Sequence, residues 1–262
     1  HSLNIVVCIK QVPNTNEVKL DPVTGTLIRD GVPSIINPDD KAGLEAALRL
    51  KDQFGAHVTV ITMGPPQADT ALREALAMGA DEAVLITDRA FGGADTLATS
   101  TTIAAGIKKL PYDLIITGRQ AIDGDTAQVG PQIAEHLNIP NVSYAEDIKV
   151  EGDTVIVKRQ YEDRYHVVKV KMPCLITALS ELNQPRYMTP GGIFDAYREK
   201  KVTVWTVNDI EVDRDRIGLK GSPTRVFKSF PKSLKAAGTV VQLDPEDSAE
   251  YMLEKLREKF II

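Results

Sequence analysis

Four continuous apolar runs, separated by amphipathic stretches with legible ends, constrain this chain more than any other feature. The runs are NIVVCIK (4–10), HVTVITM (57–63), AVLIT (83–87) and DLIITG (113–118). An unalternated apolar run suits a strand covered on both faces, the environment of a parallel sheet. The stretch NPDDKAGLEAALRLKDQFG predicts a helix with Asn37 as N-cap, Pro38 at the first helical position, Asp39 and Asp40 in the first turn and Gly55 past its end. Leu44, Ala47, Leu48 and Phe54 fall on or near one of its faces. PPQADTALREALAMGA repeats the scheme, with Ala68, Ala71, Leu72, Ala75 and Leu76 inward and Gly79 as the stop. A third helix is expected from Asp95 to about Leu110. A fourth falls within Thr126–Leu137, where Pro131 is tolerated only in the first turn.

Strand and helix alternating at this pace imply βαβ units. The expected fold is α/β, a doubly wound, mostly parallel sheet of the Rossmann-like nucleotide-binding kind. Two departures are visible. VKLDPVTGTLIRDG before the first helix reads as a hairpin excursion, and DTVIVKRQYEDRYHVVKVKMPCLITAL has the period-two alternation of a second hairpin, followed by an apolar strand introduced by Pro173. From about Asn183 to Lys232 the chain is rich in Pro, Gly, Lys and Arg without sustained periodicity. Ala249, Met252, Leu253 and Leu256 then fall at helical spacing. The expected division is therefore 1–182 as nucleotide-binding domain and 183–262 as an extended C-terminal arm, which needs another surface to hold it.

Composition removes several classes. A length of 262 residues suits one large α/β domain or a domain with an appendage, and a net charge of −5 with mixed signs gives no basic face for nucleic acid. No apolar run approaches the roughly 18–20 residues that span a bilayer, so no membrane insertion is expected. The opening His1-Ser2-Leu3 lacks a signal pattern and reads as a remnant or processed end. Cys8 and Cys174 sit inside apolar runs with no metal-ligand neighbour, the pattern of buried reduced thiols in a cytoplasmic protein. His1, His57, His136 and His166 are scattered, and no nucleophile or paired acid and base is recognisable. Any chemistry must be carried by a cofactor.

In a doubly wound sheet, ligands bind beyond the carboxyl ends of strands, where helix N-termini present free N–H groups. Cys8–Pro13, Met63–Pro66, Thr87–Thr96 and Gly118–Gln132 occupy such ends. The last, GRQAIDGDTAQVGPQ, places Gly118, Gly124 and Gly130 for close backbone approach, with short side chains between them. Its aspartates repel phosphate, so backbone amides and Thr126 are the better phosphate partners. A nucleotide-binding turn and a well-capped turn without ligand both fit these residues. Neither G-x-G-x-x-G nor G-x-x-x-x-G-K-[ST] is present. In DRAFGGADTLATSTT, Phe91 precedes a flexible Gly92-Gly93 tip, either exposed or packed against a flat surface. Asp95 and Thr96 can cap a helix whose four successive hydroxyls, 99–102, weaken it. Hydroxyls facing a polar ligand and hydroxyls facing solvent both account for that run.

CIKQVP, INPDDKAGLEAALRLK, TMGPPQ, ALAMGAD, TGRQAIDGDTAQVGPQ, VKRQYEDRYHVVKVKMPCLIT and ELNQPRYMTPGGI together resemble the beta (small) subunit of electron transfer flavoproteins over nearly the whole chain, with Arg164 and His166 as departures. The resemblance implies a heterodimer with an alpha subunit and an adenine nucleotide held by this chain. Cys8 would meet the nucleotide through its backbone. Asn37, Pro38, Asp39 and Asp40 would contact the adenosine part, and Met63 would close the second strand's end. Ala121, Ile122, Asp123, Gly124, Asp125, Thr126, Gln128, Val129, Gly130 and Gln132 would form the phosphate and ribose loop. Many members hold AMP there; bifurcating members hold a second FAD, which accepts hydride from NADH. In those members one electron goes to ferredoxin or flavodoxin, and the other passes through the alpha-subunit FAD to an acyl-CoA dehydrogenase. DRAFGGADTLATS resembles the bifurcating version, which makes Phe91, Gly93, Ala94, Asp95, Thr96 and Thr99 the residues giving FAD room. The resemblance also implies that the arm embraces the alpha subunit. Pro190, Gly191, Gly192, Ile193 and Phe194 would dock the dehydrogenase.

Overall fold

The computed structural model describes residues 2–14, 19–20, 22–23, 27–28, 33–119, 127–224, 249–250, 252–254 and 257. It divides into two units, His1–Val226 and Phe227–Ile262. In the second unit the described residues are helical and exposed, where the sequence predicts a terminal helix; Leu256 lies outside the described residues.

The first unit is built on a sheet whose described strands number nine. In chain order the elements are β1 (Asn4–Cys8), β2 (Gln11–Pro13), β3 (Lys19–Leu20), β4 (Leu27–Ile28), β5 (Ser34–Ile36), α1 (Pro38–Phe54), β6 (His57–Met63), α2 (Asp69–Met78), β7 (Glu82–Ile86), α3 (Thr96–Ile107), β8 (Leu114–Gly118) and α4 (Val129–Leu137). They continue with β9 (Asn141–Glu151), β10 (Thr154–Tyr161), β11 (Arg164–Lys171), β12 (Cys174–Ala178), α5 (Pro190–Phe194) and β13 (Val202–Trp205). The large sheet runs β11-β10-β9-β12-β8-β1-β6-β7-β13. All neighbours from β9 to β13 are parallel, and only β9–β10 and β10–β11 are antiparallel. The doubly wound α/β fold is therefore present, with β3 and β4 paired as the first expected hairpin and β10 and β11 as the second.

The continuous apolar runs split residue by residue between two cores. Ile5 and Val7 of β1 face α1 and α2, with Leu44, Leu48, Leu72 and Leu76. Val6 and Cys8 face α3 and α4, with Ile103, Ile107, Ile133 and Phe91. Period-two geometry on a sheet covered twice hides the alternation from the sequence. Each fully buried Leu or Ile contributes about 1.5–3 kcal/mol.

Helix ends follow their residues. Asn37 takes the N-cap position of α1 and Gly55 ends it in left-handed conformation (φ 68). Gly79 ends α2. Pro131 falls in the first turn of α4, where its missing N–H costs nothing. Phe91 is 5% exposed and belongs to the second core, the packed one of its two expected placements. Three expectations need correction. Phe54, the last residue of α1, is 48% exposed. α3 ends at Ile107, followed by turns to Lys109. The stretch after Lys201 is not wholly irregular: β13 pairs with β7 at the sheet edge.

Candidate nucleotide-binding crevice

From β1 the chain order proceeds one way through β6 and β7, and from β8 the other way through β12. β1 and β8 are therefore neighbours at the point where the order reverses, and a crevice opens there beyond the strand carboxyl ends. The first turn of α1 lies across it. Asp40 Oδ2 accepts the Lys10 amide at 2.8 Å and Oδ1 accepts the Gly118 amide at 2.9 Å, so one carboxylate joins the ends of β1 and β8. Asp39 Oδ1 accepts the Ser180 amide at 2.9 Å, beyond β12. Asn37 supplies no cap to a backbone amide; its side chain instead bonds the Asp40 carboxylate. Burial pushes the Asp40 carboxyl up to about 7 against these hydrogen bonds, with the Asp39 charge adding to the rise. The Cys8 thiol is raised by burial and by the Asp40 charge, and burial pushes Cys174 up to about 12; both are inert.

Glycine is required here by close approach. A Cβ at Gly118 would overlap Asp40 Oδ1, and one at Gly130 would stand 2.6 Å from Thr117 Oγ1. The N-terminus of α4 thus rests directly on the ends of β8 and β12. Around it are polar atoms without a hydrogen-bond partner among the described residues: Thr117 Oγ1, Arg119 Nε and Gln132 Oε1. Thr117 is 5% exposed, and Arg119 Nε lies 3.7 Å from Asp39 Oδ2. A buried polar atom left unpaired costs about 1–3 kcal/mol, so Thr117 Oγ1 at a strand-order reversal is a place for a polar ligand. A groove of about 470 Å³ lined by Arg119, Tyr144, Arg159 and Tyr161 adjoins it.

The expected site residues divide. Cys8, Asn37, Pro38, Asp39, Asp40, Gln128, Val129, Gly130 and Gln132 converge on the crevice. Met63 is half-buried at the end of β6. Phe91, Gly93, Ala94, Asp95, Thr96 and Thr99 form the adjoining loop and the start of α3, and Thr96 Oγ1 donates to Gln128 Oε1 at 3.4 Å, linking the two segments. Ala121, Ile122, Asp123, Gly124, Asp125 and Thr126 lie outside the described residues. Three of the four hydroxyls in the α3 run bond back to the helix: Ser100 and Thr101 donate to Leu97 O and Thr102 to Ala98 O. Pro190–Phe194 form α5, with Ile193 and Phe194 exposed. A Cβ at Gly192 would overlap Ala77 O, near the end of α2. Since α2 begins where β6 ends and finishes where β7 begins, α5 lies at the opposite end of the sheet from the crevice.

Sequence reasoning missed Thr117, whose hydroxyl inside an apolar run gives no sign of lacking a partner. It also missed Tyr144, which takes positive φ (63) where β9 slips register against β12, its amide donating to Thr177 Oγ1. Such a bulge leaves no mark on an alternating strand.

The electron transfer flavoprotein domain model matches residues 24–210. The chain is 64% identical to the electron transfer flavoprotein subunit beta of Clostridium acetobutylicum, covering 99% of this chain and 100% of that protein. It is 58% identical to subunit CarD of the caffeyl-CoA reductase-Etf complex of Acetobacterium woodii, again over 99% and 100%. It is 49% identical to the acryloyl-CoA reductase electron transfer subunit gamma of Anaerotignum propionicum, over 99% and 100%.

Proposed function

Because this chain belongs to the electron transfer flavoprotein family, as a beta subunit, we propose that it binds FAD in the β1/β8 crevice and draws electrons from NADH. One electron of each pair goes to ferredoxin or flavodoxin. The other passes through the FAD of an alpha subunit to an acyl-CoA dehydrogenase. The observation that carries the reading is Thr117 Oγ1, buried and without a hydrogen-bond partner among the described residues where the first turn of α4 meets the end of β8, with Gln132 Oε1 likewise unpaired in α4. The N-terminus of α4 offers backbone amides to a ligand's phosphates at this point, and residues 121–126 would complete the loop. FAD, when bound, supplies the hydride and single-electron chemistry that no side chain here provides. The names of the Acetobacterium and Anaerotignum relatives, both subunits working with reductases of CoA thioesters, support the choice of terminal partner. Among the described residues no helix is long and apolar enough to cross a membrane. A cytoplasmic location is part of this reading, and the two buried free thiols support it.

Residues 183–262 serve in this reading as docking loop and as the arm that holds the alpha subunit. A visible spectrum of the heterodimer, followed by acid release and quantification of its nucleotides, tests the function. Two FAD per heterodimer, bleached by NADH, are expected; one FAD with one AMP would overturn the NADH step. Gly192→Ala should lift α5 off α2 and slow electron transfer to the dehydrogenase at least tenfold, leaving NADH-to-dye reduction unchanged. Equal loss of both activities would instead mark Gly192 as a folding residue.

A further inference from the structure

The loop from Asp88 to Asp95 is held at each end by a carboxylate that reaches in two directions. Asp88 Oδ1 accepts the Ala90 amide at 3.0 Å, within its own loop, and Oδ2 accepts the Val207 amide at 3.2 Å. Asp95 repeats the arrangement. Its Oδ1 accepts the Ala98 amide at 3.0 Å and caps α3, while Oδ2 accepts the Thr224 amide at 3.1 Å and the Thr224 hydroxyl at 2.9 Å. The Asp95 amide donates to Ser222 Oγ at 2.8 Å, and that buried hydroxyl donates to Gly218 O at 2.6 Å. Between the two ends, Gly218 holds positive φ (58) where a Cβ would overlap Ala90 O, and Leu219 comes within 3.3 Å of where a Gly93 Cβ would stand. Val207, Ile210 and Ile217 are buried with Phe91 in one apolar cluster. Residues 207–224 therefore follow the glycine loop from one end to the other.

We propose that residues 207–224 are a strap, and that Asp88 and Asp95 are positioning residues that fasten the glycine loop to it and so govern how tightly the crevice retains its nucleotide. This rests on the reading of the crevice as a nucleotide site. Both Asp95 oxygens are already engaged by protein donors, which leaves the carboxylate as a fastening rather than a ligand contact. An anionic ligand would also gain nothing from an ionised carboxylate. Hydrogen bonds hold both groups ionised: those from Ala90 and Val207 lower Asp88, and those from Ala98 and Thr224 outweigh burial at Asp95. Movement of the loop reaches the crevice through Thr96, next in sequence to Asp95 and bonded to Gln128. The strap lies far along the chain from every turn that sequence reasoning assigned to the nucleotide.

The test is a double-mutant cycle in the intact heterodimer, reading the rate of nucleotide release after dilution. Asp95→Asn and Thr224→Val should each speed release about tenfold or more, the effect of one lost hydrogen bond to a charged group. The double variant should be no faster than Asp95→Asn alone, because both remove the same fastening. Thr224→Ser should restore the wild-type rate, whereas a packing role would be better met by Val. Unchanged release in Thr224→Val beside faster release in Asp95→Asn would overturn the strap and make Asp95 a ligand contact. Additive effects would overturn it as well. If a variant folds poorly, Ser222→Ala provides a second break of the same fastening, expected to speed release and refuting the strap if it does not. The cycle reads the same way whether the released nucleotide is FAD or AMP, so AMP in the wild type would refute the proposed function while leaving the strap to stand or fall on the rates.

Discussion

Two pairs of aspartates flank the crevice, and both bind backbone amides, yet burial sets them apart. Asp39 and Asp40, in the first turn of α1, are buried and tie together the ends of β1, β8 and β12. Asp88 and Asp95 stand half-exposed and tie a loop to the segment after β13. At Asp40 desolvation outweighs three hydrogen bonds and the carboxyl rises to about 7; at Asp95 hydrogen bonds outweigh desolvation, and at Asp88 they act almost unopposed, so both fall. The same side chain with the same kind of donor therefore makes a clamp that is half-neutral near pH 7 and a fastening that stays ionised. The difference lies in water, not in the number of bonds.

The largest expected effect follows from that sign. Folded Asp40 titrates at about 7 and unfolded Asp at 3.8, so between those values the folded state binds more protons. Stability should then fall as pH rises from about 4 to about 7 and level off above, by up to about 4 kcal/mol at 1.36 kcal/mol per unit. Urea midpoints of wild type and Asp40→Asn across that window check it. The variant should lack the decline, and parallel profiles would show that Asp40 is not the buried titrating group. Next in size, Gly118→Ala forces a Cβ into Asp40 Oδ1 and against the Asp40 amide, 2.8 Å away. Overpacking with loss of the clamp should cost about 3 kcal/mol, read from the same urea midpoints. If Gly118→Ala is neutral, the ends of β1 and β8 are looser than the clamp requires.

The sequence and the structure agree where local chemistry decides the outcome. Asn37, Pro38 and Gly55 bound α1 because N-cap geometry, proline's fixed φ and a left-handed residue act within a few positions. The apolar runs yielded the parallel strands for the same reason. What was not legible depends on partners distant in the chain. β13 is a short strand, VTVW, whose reason to exist is the open edge of β7. Phe91 is buried because Val207, Ile210 and Ile217 arrive from the far end of the chain. Asp39 and Asp40 read as helix-dipole residues facing a ligand, and only the fold brings the amides of Lys10, Gly118 and Ser180 to them. Asp95 was legible as a cap, but its second set of partners, at Ser222 and Thr224, lies more than a hundred residues away.

The smallest effect separates the two exposed aspartates from the buried pair most cleanly. Asp88→Asn keeps one acceptor and loses the other, so either Ala90 or Val207 is left with an unpaired amide. The retained oxygen should stay with buried Val207 while water replaces the bond to exposed Ala90, so the cost should be about 1 kcal/mol rather than the several expected of a buried group. The pH dependence should also run opposite to that of Asp40. Asp88 is lowered below 3.8 when folded, so its contribution is present above that value and is lost as pH falls through the folded-state pKa. Between pH 5 and 8 the stability gap between wild type and Asp88→Asn should therefore be constant, while the gap for Asp40→Asn changes steeply. Urea midpoints at pH 5, 6.5 and 8 decide it. A sloping gap for Asp88→Asn would mean that the strap, like the clamp, shields its carboxylate from water.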